Sequence, residues 1–305
     1  MKKIITILII SVIVILFVSG GIFIWQRLKT PEKINGLMML IESEKIDGVL
    51  HWEEELDKRG LSALIMVKQN ILEQYPEDFK RLAQKGYEIA GSVSGDPVWD
   101  KPYEYQYEQI KKVQELVENI TEKPMRVLSS RYFAYDQTTL RVANELGIEY
   151  VLARGTAGEK AIVYAPKEYN VKIISVSNIP FEEMGTGSLC DYSLWARGAD
   201  ANDFATVLNG CIDKKPTNMI LVSHAYLGGT RLTWWNVYEK ALNSGNVYWK
   251  TFNDWMETLT PLVMDNKDIP VNREVKYEIP TPKVPLEELE LIPDLNSETM
   301  EPICY

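Results

Sequence analysis

Two kinds of hydrophobic pattern alternate along most of the chain. Short apolar runs recur at residues 37–41, 61–67, 87–93, 125–129, 148–153, 171–176, 219–223 and 247–250. Runs of this kind, bounded by turn residues, read as buried strands. Between them, apolar residues fall three and four apart. Val49, Trp52 and Leu56 follow Asp47. Leu72, Tyr75, Phe79 and Leu82 precede Lys85, with Pro76 in the first turn of the regular part. Ile110, Val113 and Val117 lie within 103–120. That spacing predicts helices with one buried face. Asp136 can cap a helix over 137–146 that stops at Gly147, and Gly86 stops the helix before it. Further helices are predicted over 202–212 and 233–241. Strands separated by helices imply a parallel sheet covered on both faces. A succession of about eight such units predicts an α/β fold of the distorted (β/α) barrel kind. No Gly-x-Gly-x-x-Gly turn follows the first strand, and Gly228-Gly229 is an isolated pair, which argues against a dinucleotide fold.

Both ends break the pattern. Residues 4–25 form 22 consecutive positions without a charge, preceded by Lys2 and Lys3 and followed by Arg27 and Lys29. At about 1.5 Å per residue the run spans roughly 33 Å, enough for a hydrocarbon core of about 30 Å. A cleaved signal peptide cut near 18–20 is the competing reading, but the apolar run continues to Trp25. The expected organisation is a membrane anchor over 1–30, in the bilayer through 4–25, then a barrel over 31–260. A Pro-rich acidic tail over 261–305 then wraps the barrel or is partly disordered. A large domain after a short basic N-terminus is expected outside the cytoplasm.

Charge sharpens this division. The 305 residues carry 33 basic and 43 acidic side chains, a net of −10. Four of the basic residues lie within 1–29 with no acidic ones, so the rest of the chain has 29 against 43, a net of −14. Such a domain is tethered by its helix rather than drawn to an anionic membrane, and it lacks the basic balance of a nucleic-acid partner. Two histidines, His51 and His224, exclude a three-histidine zinc site. Cys190, Cys211 and Cys304 have no Cys-x-x-Cys spacing, so a zinc ribbon is excluded as well. Cys190 and Cys211 can be paired or free.

Sites of such barrels sit at the C-terminal ends of the strands. The polar residues there are Glu42, Ser43, Glu44, Gln69, Asn70, Ser92, Asp96, Arg131, Tyr132, Arg154, Asn178 and His224. Each can instead serve loop backbone and solvent. His224 is the most specific, because it ends a buried strand and can act as a general acid, or can simply hydrogen-bond a loop. His51 lies in a helix beside Trp52 and three glutamates and reads as structural. Trp99 and Tyr132 follow strand ends and can offer ring faces to a substrate, with Arg154 a further substrate-binding candidate. Trp234 and Trp255 lie in helices and read as core.

Four segments then show a resemblance: RGLSALIMV at 59–67, FKRLAQKGYEI at 79–89, ANELG at 143–147 and ILVSH at 220–224. The stretch from 37 to 226 resembles a polysaccharide deacetylase, the carbohydrate esterase family 4 domain. That resemblance implies metal-assisted hydrolysis of an N-acetyl group. An Asp and two His hold the metal, a second Asp is the base, and a late-strand His is the acid. His224 matches the acid. The first-strand aspartates fall at Glu42, a candidate base, and Ser43. The two metal histidines fall at Ser92 and Asp96. Arg131, in SRYFAY at 130–135, matches the family's arginine. The resemblance therefore implies Glu42, His224 and Arg131 as catalytic residues. The metal site is incomplete, with Ser43, Ser92 and Asp96 at the ligand positions. No cofactor and no zinc is expected, and carboxylate oxygens would suit Mg²⁺, Mn²⁺ or Ca²⁺ better. Three readings follow. The domain binds glycan or another envelope partner without this hydrolysis. Alternatively it is a hydrolase whose altered chemistry uses Glu42, Glu44, Asp96, Asp100 and His224. The third is a structural envelope protein.

Overall fold

The computed structural model describes residues 33–42, 45–93, 98–180, 187–270, 282–293 and 295. The expected anchor over 1–30 lies outside these, as do Ser43, Glu44 and Asp96. Among the described residues no helix is long and apolar enough to cross a membrane.

Among the described residues ten strands form one sheet: β1 (Ile34–Glu42), β2 (Leu64–Lys68), β3 (Glu88–Ser92), β4 (Val127–Ser129), β5 (Tyr150–Ala153), β6 (Ile162–Pro166), β7 (Lys172–Ser175), β8 (Asn218–His224), β9 (Val247–Lys250) and β10 (Leu262–Met264). Their order is β10-β6-β7-β5-β4-β3-β2-β1-β8, and β9 pairs with the first half of β1. The helices are α1 (Asp47–Asp57), α2 (Gln69–Gln74), α3 (Pro76–Gln84), α4 (Tyr103–Thr121), α5 (Gln137–Glu145), α6 (Asp191–Trp195), α7 (Ala201–Asp213), α8 (Ala225–Gly228), α9 (Leu232–Asn243) and α10 (Phe252–Glu257). Asp136 caps α5 as expected, accepting from Thr139 N at 2.8 Å. Gly86 and Gly147 take the left-handed backbone after their helices, at φ +96° and +73°.

The central strand β1 fixes the register. Met39 pairs with Leu64 of β2 on one side and with Val222 of β8 on the other. Alternate residues then face opposite layers. Leu37 and Met39 join Leu64, Ala90, Val127, Leu152, Ile174 and Val222 in an inner cluster. Met38 and Leu40 join Ile65, Val67 and Ile89 under the helices. The outer layer includes a ring cluster in which Trp52 meets Trp235 and Tyr238 edge-on, at centroid distances of 5.0 and 5.1 Å.

The sheet is a curled half-barrel, the form the expected distorted (β/α) barrel takes, and strand pairing among the described residues does not close it. The physical cause is β6, which runs antiparallel to β7 and carries β10 on its far side. Both were missed by the sequence pattern. Both are apolar in sequence, but β10 is three largely exposed residues, and β6 follows β5 and precedes β7 with no helix between, so neither fits a strand–helix alternation. β10 also takes the sheet past the expected boundary at residue 260. The gap between β7 and β8 is bridged by other means. Ile220 N donates to Ser177 Oγ at 3.0 Å, Leu189 N to Ser177 O at 2.8 Å, and Val222 N to Leu189 O at 3.1 Å. Cys190 pairs with Val222 as a one-residue parallel bridge. Beyond β10, the described tail residues lie along the helices. Leu232 N donates to Glu290 O at 2.9 Å and Ile292 N to Thr230 O at 2.9 Å. Ile292 is buried, so this part of the tail wraps the domain.

Candidate functional site

The alternation that builds the inner cluster continues to the C-terminal strand ends. Leu37 and Met39 lead to Ile41, Leu64 and Met66 to Lys68, Ala90 to Ser92, Tyr150 and Leu152 to Arg154, and Ile220 and Val222 to His224. These end residues line a cavity of about 430 Å³. Arg131, Tyr132 and Phe133 enter it from the turn after β4. Gly187, Ser188, Cys190, Tyr192, Ser193 and Arg197 enter from the segment that bridges β7 and β8.

The turn after β4 is locally strained. Tyr132 and Phe133 both adopt left-handed backbone, at φ +63° and +55°. Each such residue costs on the order of 1–3 kcal/mol without a glycine. The turn places the Arg131 guanidinium over the Tyr132 ring at 5.0 Å, and Trp99 stands edge-on to the same ring at 6.3 Å. Arg154 Nε donates to Tyr132 O at 3.1 Å, which ties β5 to this turn. Burial and the neighbouring positive charge of Arg197 lower the Arg154 pKa to about 10.

His224 is organised by Asp191, which opens α6 and is fully buried. The Asp191 carboxylate accepts from Tyr192 N at 2.6 Å, His224 N at 3.0 Å, Gly228 N at 3.0 Å and Ser223 Oγ at 3.1 Å. It also lies 3.2 Å from His224 Nδ1. Burial disfavours the imidazolium, but hydrogen bonds to Asp191 and Cys190 outweigh it and raise His224 to about 10. The imidazole is therefore cationic at neutral pH, and Tyr192 covers it at a ring distance of 4.7 Å.

Of the residues expected from sequence, Ser92, Arg131, Tyr132, Arg154 and His224 meet in this cavity. Trp99 reaches it only through the Tyr132 ring. Glu42 does not line it. It shares the parity of Met38 and Leu40, on the helix-facing side of β1, and its carboxylate accepts from Lys45 N at 3.2 Å. Gln69 starts α2 and Asn178 donates to Gly155 O at 2.9 Å. His51 packs edge-on against Trp235 at 4.5 Å, and burial lowers its pKa. Sequence reasoning missed Lys68, Cys190, Asp191, Tyr192 and Arg197. Lys68 had a signal, being two residues beyond Met66 in the strand alternation. Asp191 had none, because it meets His224 across 33 residues from an irregular stretch.

Among the described residues, Cys190, Asp191 and His224 bring possible metal-ligand atoms within 4.8 Å of one another. As arranged, they do not fit a metal. Five donor groups point at the two Asp191 oxygens, which offer about four lone-pair sites. Cys190 Sγ is already bonded to Ser193 N at 3.2 Å and Ser193 Oγ at 3.0 Å. At the other family-matched position Ser92 offers a neutral hydroxyl, in a wall shared with Lys68 and Arg154.

The family model for polysaccharide deacetylase matches residues 53–151, from α1 through β5. Over that stretch the chain is similar to a polysaccharide deacetylase domain. Solved structures share the fold of this domain. A putative polysaccharide deacetylase from Mycobacterium smegmatis is 13% identical with a TM-score of 0.58, covering 78% of this chain and 96% of its own. The Bc1960 peptidoglycan N-acetylglucosamine deacetylase is 13% identical with a TM-score of 0.52, covering 76% and 92%. A CE4 family pseudoenzyme from Bacillus anthracis is 8% identical with a TM-score of 0.50, covering 77% and 71%. At these identities the likeness is one of fold. The sequence has no significant match among curated proteins.

Proposed function

We propose that this deacetylase domain is a membrane-anchored envelope protein that binds glycan without the family's ordinary zinc chemistry. The observation that carries the reading is the cavity wall. The described position matched to a metal histidine is Ser92, and its neighbours on the wall are Lys68 and Arg154 rather than ligands. A divalent cation there would face positive charge without the imidazoles that soft N-donor coordination of zinc needs. Peptidoglycan is the substrate class of one structural neighbour, and another neighbour is a pseudoenzyme of the same fold. Tyr132 and Tyr192 on the cavity wall offer faces for a sugar ring. The anchor rests on the uncharged run at 4–25.

A second reading, hydrolysis by altered chemistry, is favoured by the His224–Asp191 pair. A cationic imidazole facing the cavity can donate a proton to a leaving group. Metal analysis of the purified chain, together with acetate release from N-acetylated peptidoglycan fragments, separates the two. The glycan-binding reading expects substoichiometric zinc and no acetate, with saturable binding of the fragments. One zinc per chain with steady acetate release would overturn it.

A further inference from the structure

We propose that Cys190 is a nucleophilic thiol on the cavity wall, which takes a small peroxide and is oxidised to a sulfenic acid with His224 as proton donor. The inference stands on the side chains around the sulfur and is independent of the glycan-binding reading. Cys190 Sγ, a His224 ring nitrogen and an Asp191 oxygen lie within 4.8 Å of one another. As a metal site the group fails. As a nucleophile, a proton donor and a carboxylate that orients the donor, it has every part.

Local structure puts the sulfur there. Cys190 bridges to Val222 in parallel register, and both join the inner cluster. The sulfur therefore shares the cavity wall with His224, two residues beyond Val222. Cys190 also caps α6, so Ser193 N donates to its Sγ at 3.2 Å. Ser193 Oγ stands 3.0 Å away, and its hydroxyl can turn from accepting the thiol proton to donating to a thiolate. His224 bonds to the same sulfur. Each of these groups can donate to a negative sulfur, and the thiolate is the form that attacks. Asp191 does not compete for them, because its carboxylate is held by Tyr192 N, Ser223 Oγ, Gly228 N and His224.

Burial selects the reagent. Cys190 is 1% exposed, so a reagent has to arrive through the cavity. A peroxide is small and reacts through a single oxygen, whereas a disulfide or a bulky electrophile brings a second large group to the sulfur. Cys211 is the contrast within the same chain. It lies in the helix-side layer, and burial pushes its thiol up to about 12. The step balances with the peroxide as oxidant. Sulfur attacks the distal oxygen, the S–O bond forms and the O–O bond breaks. The sulfur gives up an electron pair and the peroxide is reduced. The departing alkoxide or hydroxide takes the His224 imidazolium proton, leaving a sulfenic acid, a neutral imidazole and an alcohol or water.

The test exposes the purified full-length chain to hydrogen peroxide at neutral pH for timed intervals. Catalase then removes the peroxide, the chain is unfolded in urea with dimedone, and each cysteine peptide is read by mass spectrometry. Cys190 is expected to oxidise at least about tenfold faster in the folded chain than in a chain unfolded beforehand. Cys211 should show the opposite order. His224→Gln should slow oxidation of Cys190 by about tenfold, and Ser193→Ala, which keeps the amide donor, by about threefold. If His224→Gln fails to fold, the folded-to-unfolded ratio and Ser193→Ala still decide. Slower oxidation of Cys190 in the folded chain than in the unfolded one would mean that the thiol is only buried, and would overturn the proposal. An undiminished rate in a folded His224→Gln would overturn it as well.

Discussion

The Asp191 carboxylate holds His224 twice, at the backbone N–H at 3.0 Å and at ring Nδ1 at 3.2 Å. It also accepts from Ser223, Gly228 and Tyr192, so one side chain joins α6, the end of β8 and α8. Asp191→Asn keeps the size but turns one acceptor oxygen into a donor facing donors. Buried donors left without an acceptor cost on the order of 1–3 kcal/mol each. We expect Asp191→Asn to lose about 3 kcal/mol or more in urea denaturation, with a lower Tm. A loss under about 0.5 kcal/mol would contradict this account of the pair.

The same pair sets a pH dependence with a defined sign. His224 has a folded pKa of about 10 against an ordinary value of 6.5. Its stabilising contribution is complete below about pH 6.5, declines as pH rises and is lost through about pH 10. The slope is at most about 1.4 kcal/mol per pH unit. Unfolding free energies measured between pH 6 and 10 should fall in the native chain and flatten across that window in His224→Gln. An imidazole proton resonance titrating near 6.5 for His224 would refute the pairing.

Gly228 is needed for a spatial reason. A Cβ there would lie 2.3 Å from Ser223 Oγ and 2.5 Å from Asp191 Oδ2. Gly228→Ala therefore pushes apart two of the groups that hold His224. We expect a loss of about 1–3 kcal/mol, as for overpacked cores. The His224 resonance should shift in the same variant, and an unchanged one would show that the contact relaxes elsewhere.

The tail is a part of the fold where Ile292 is buried and its amide donates to Thr230 O. Ile292→Asp places a charge in that position. A destabilisation of about 2–4 kcal/mol is expected by thermal denaturation. A Tm unchanged within a degree would mean that residues 290–292 are not held against α9.

The strand core was legible because burial on both faces leaves continuous apolar runs, as at 37–41 and 219–223. The capped helix at 137–146 was legible because Asp136 and Gly147 are local signals. β6 and β10 were not: both are apolar, but no helix separates β6 from β5 or β7, and β10 has only three residues, so neither stands out in a strand–helix alternation. In the site, Ser92, Arg131, Arg154 and His224 were readable from strand ends. Glu42 was expected at the site and Lys68 was overlooked, because the strand end was located without following the alternation back to Leu37 and Leu64. Asp191 could not be read at all. Its role depends on a contact made only where the segment after β7 bridges to β8.

That contact has a kinetic consequence. The residues that bridge β7 to β8, Leu189 and Cys190, stand next to Asp191 in sequence. A folding intermediate could assemble β1 to β5 with their helices and still lack the bridge. Such a species would have most of the native secondary structure, but His224 would be a free imidazole with an ordinary titration. The His224–Asp191 pair is therefore complete only when the segment bridging β7 to β8 is in place. Stopped-flow refolding followed at the His224 ring would time that event separately from the recovery of helical signal.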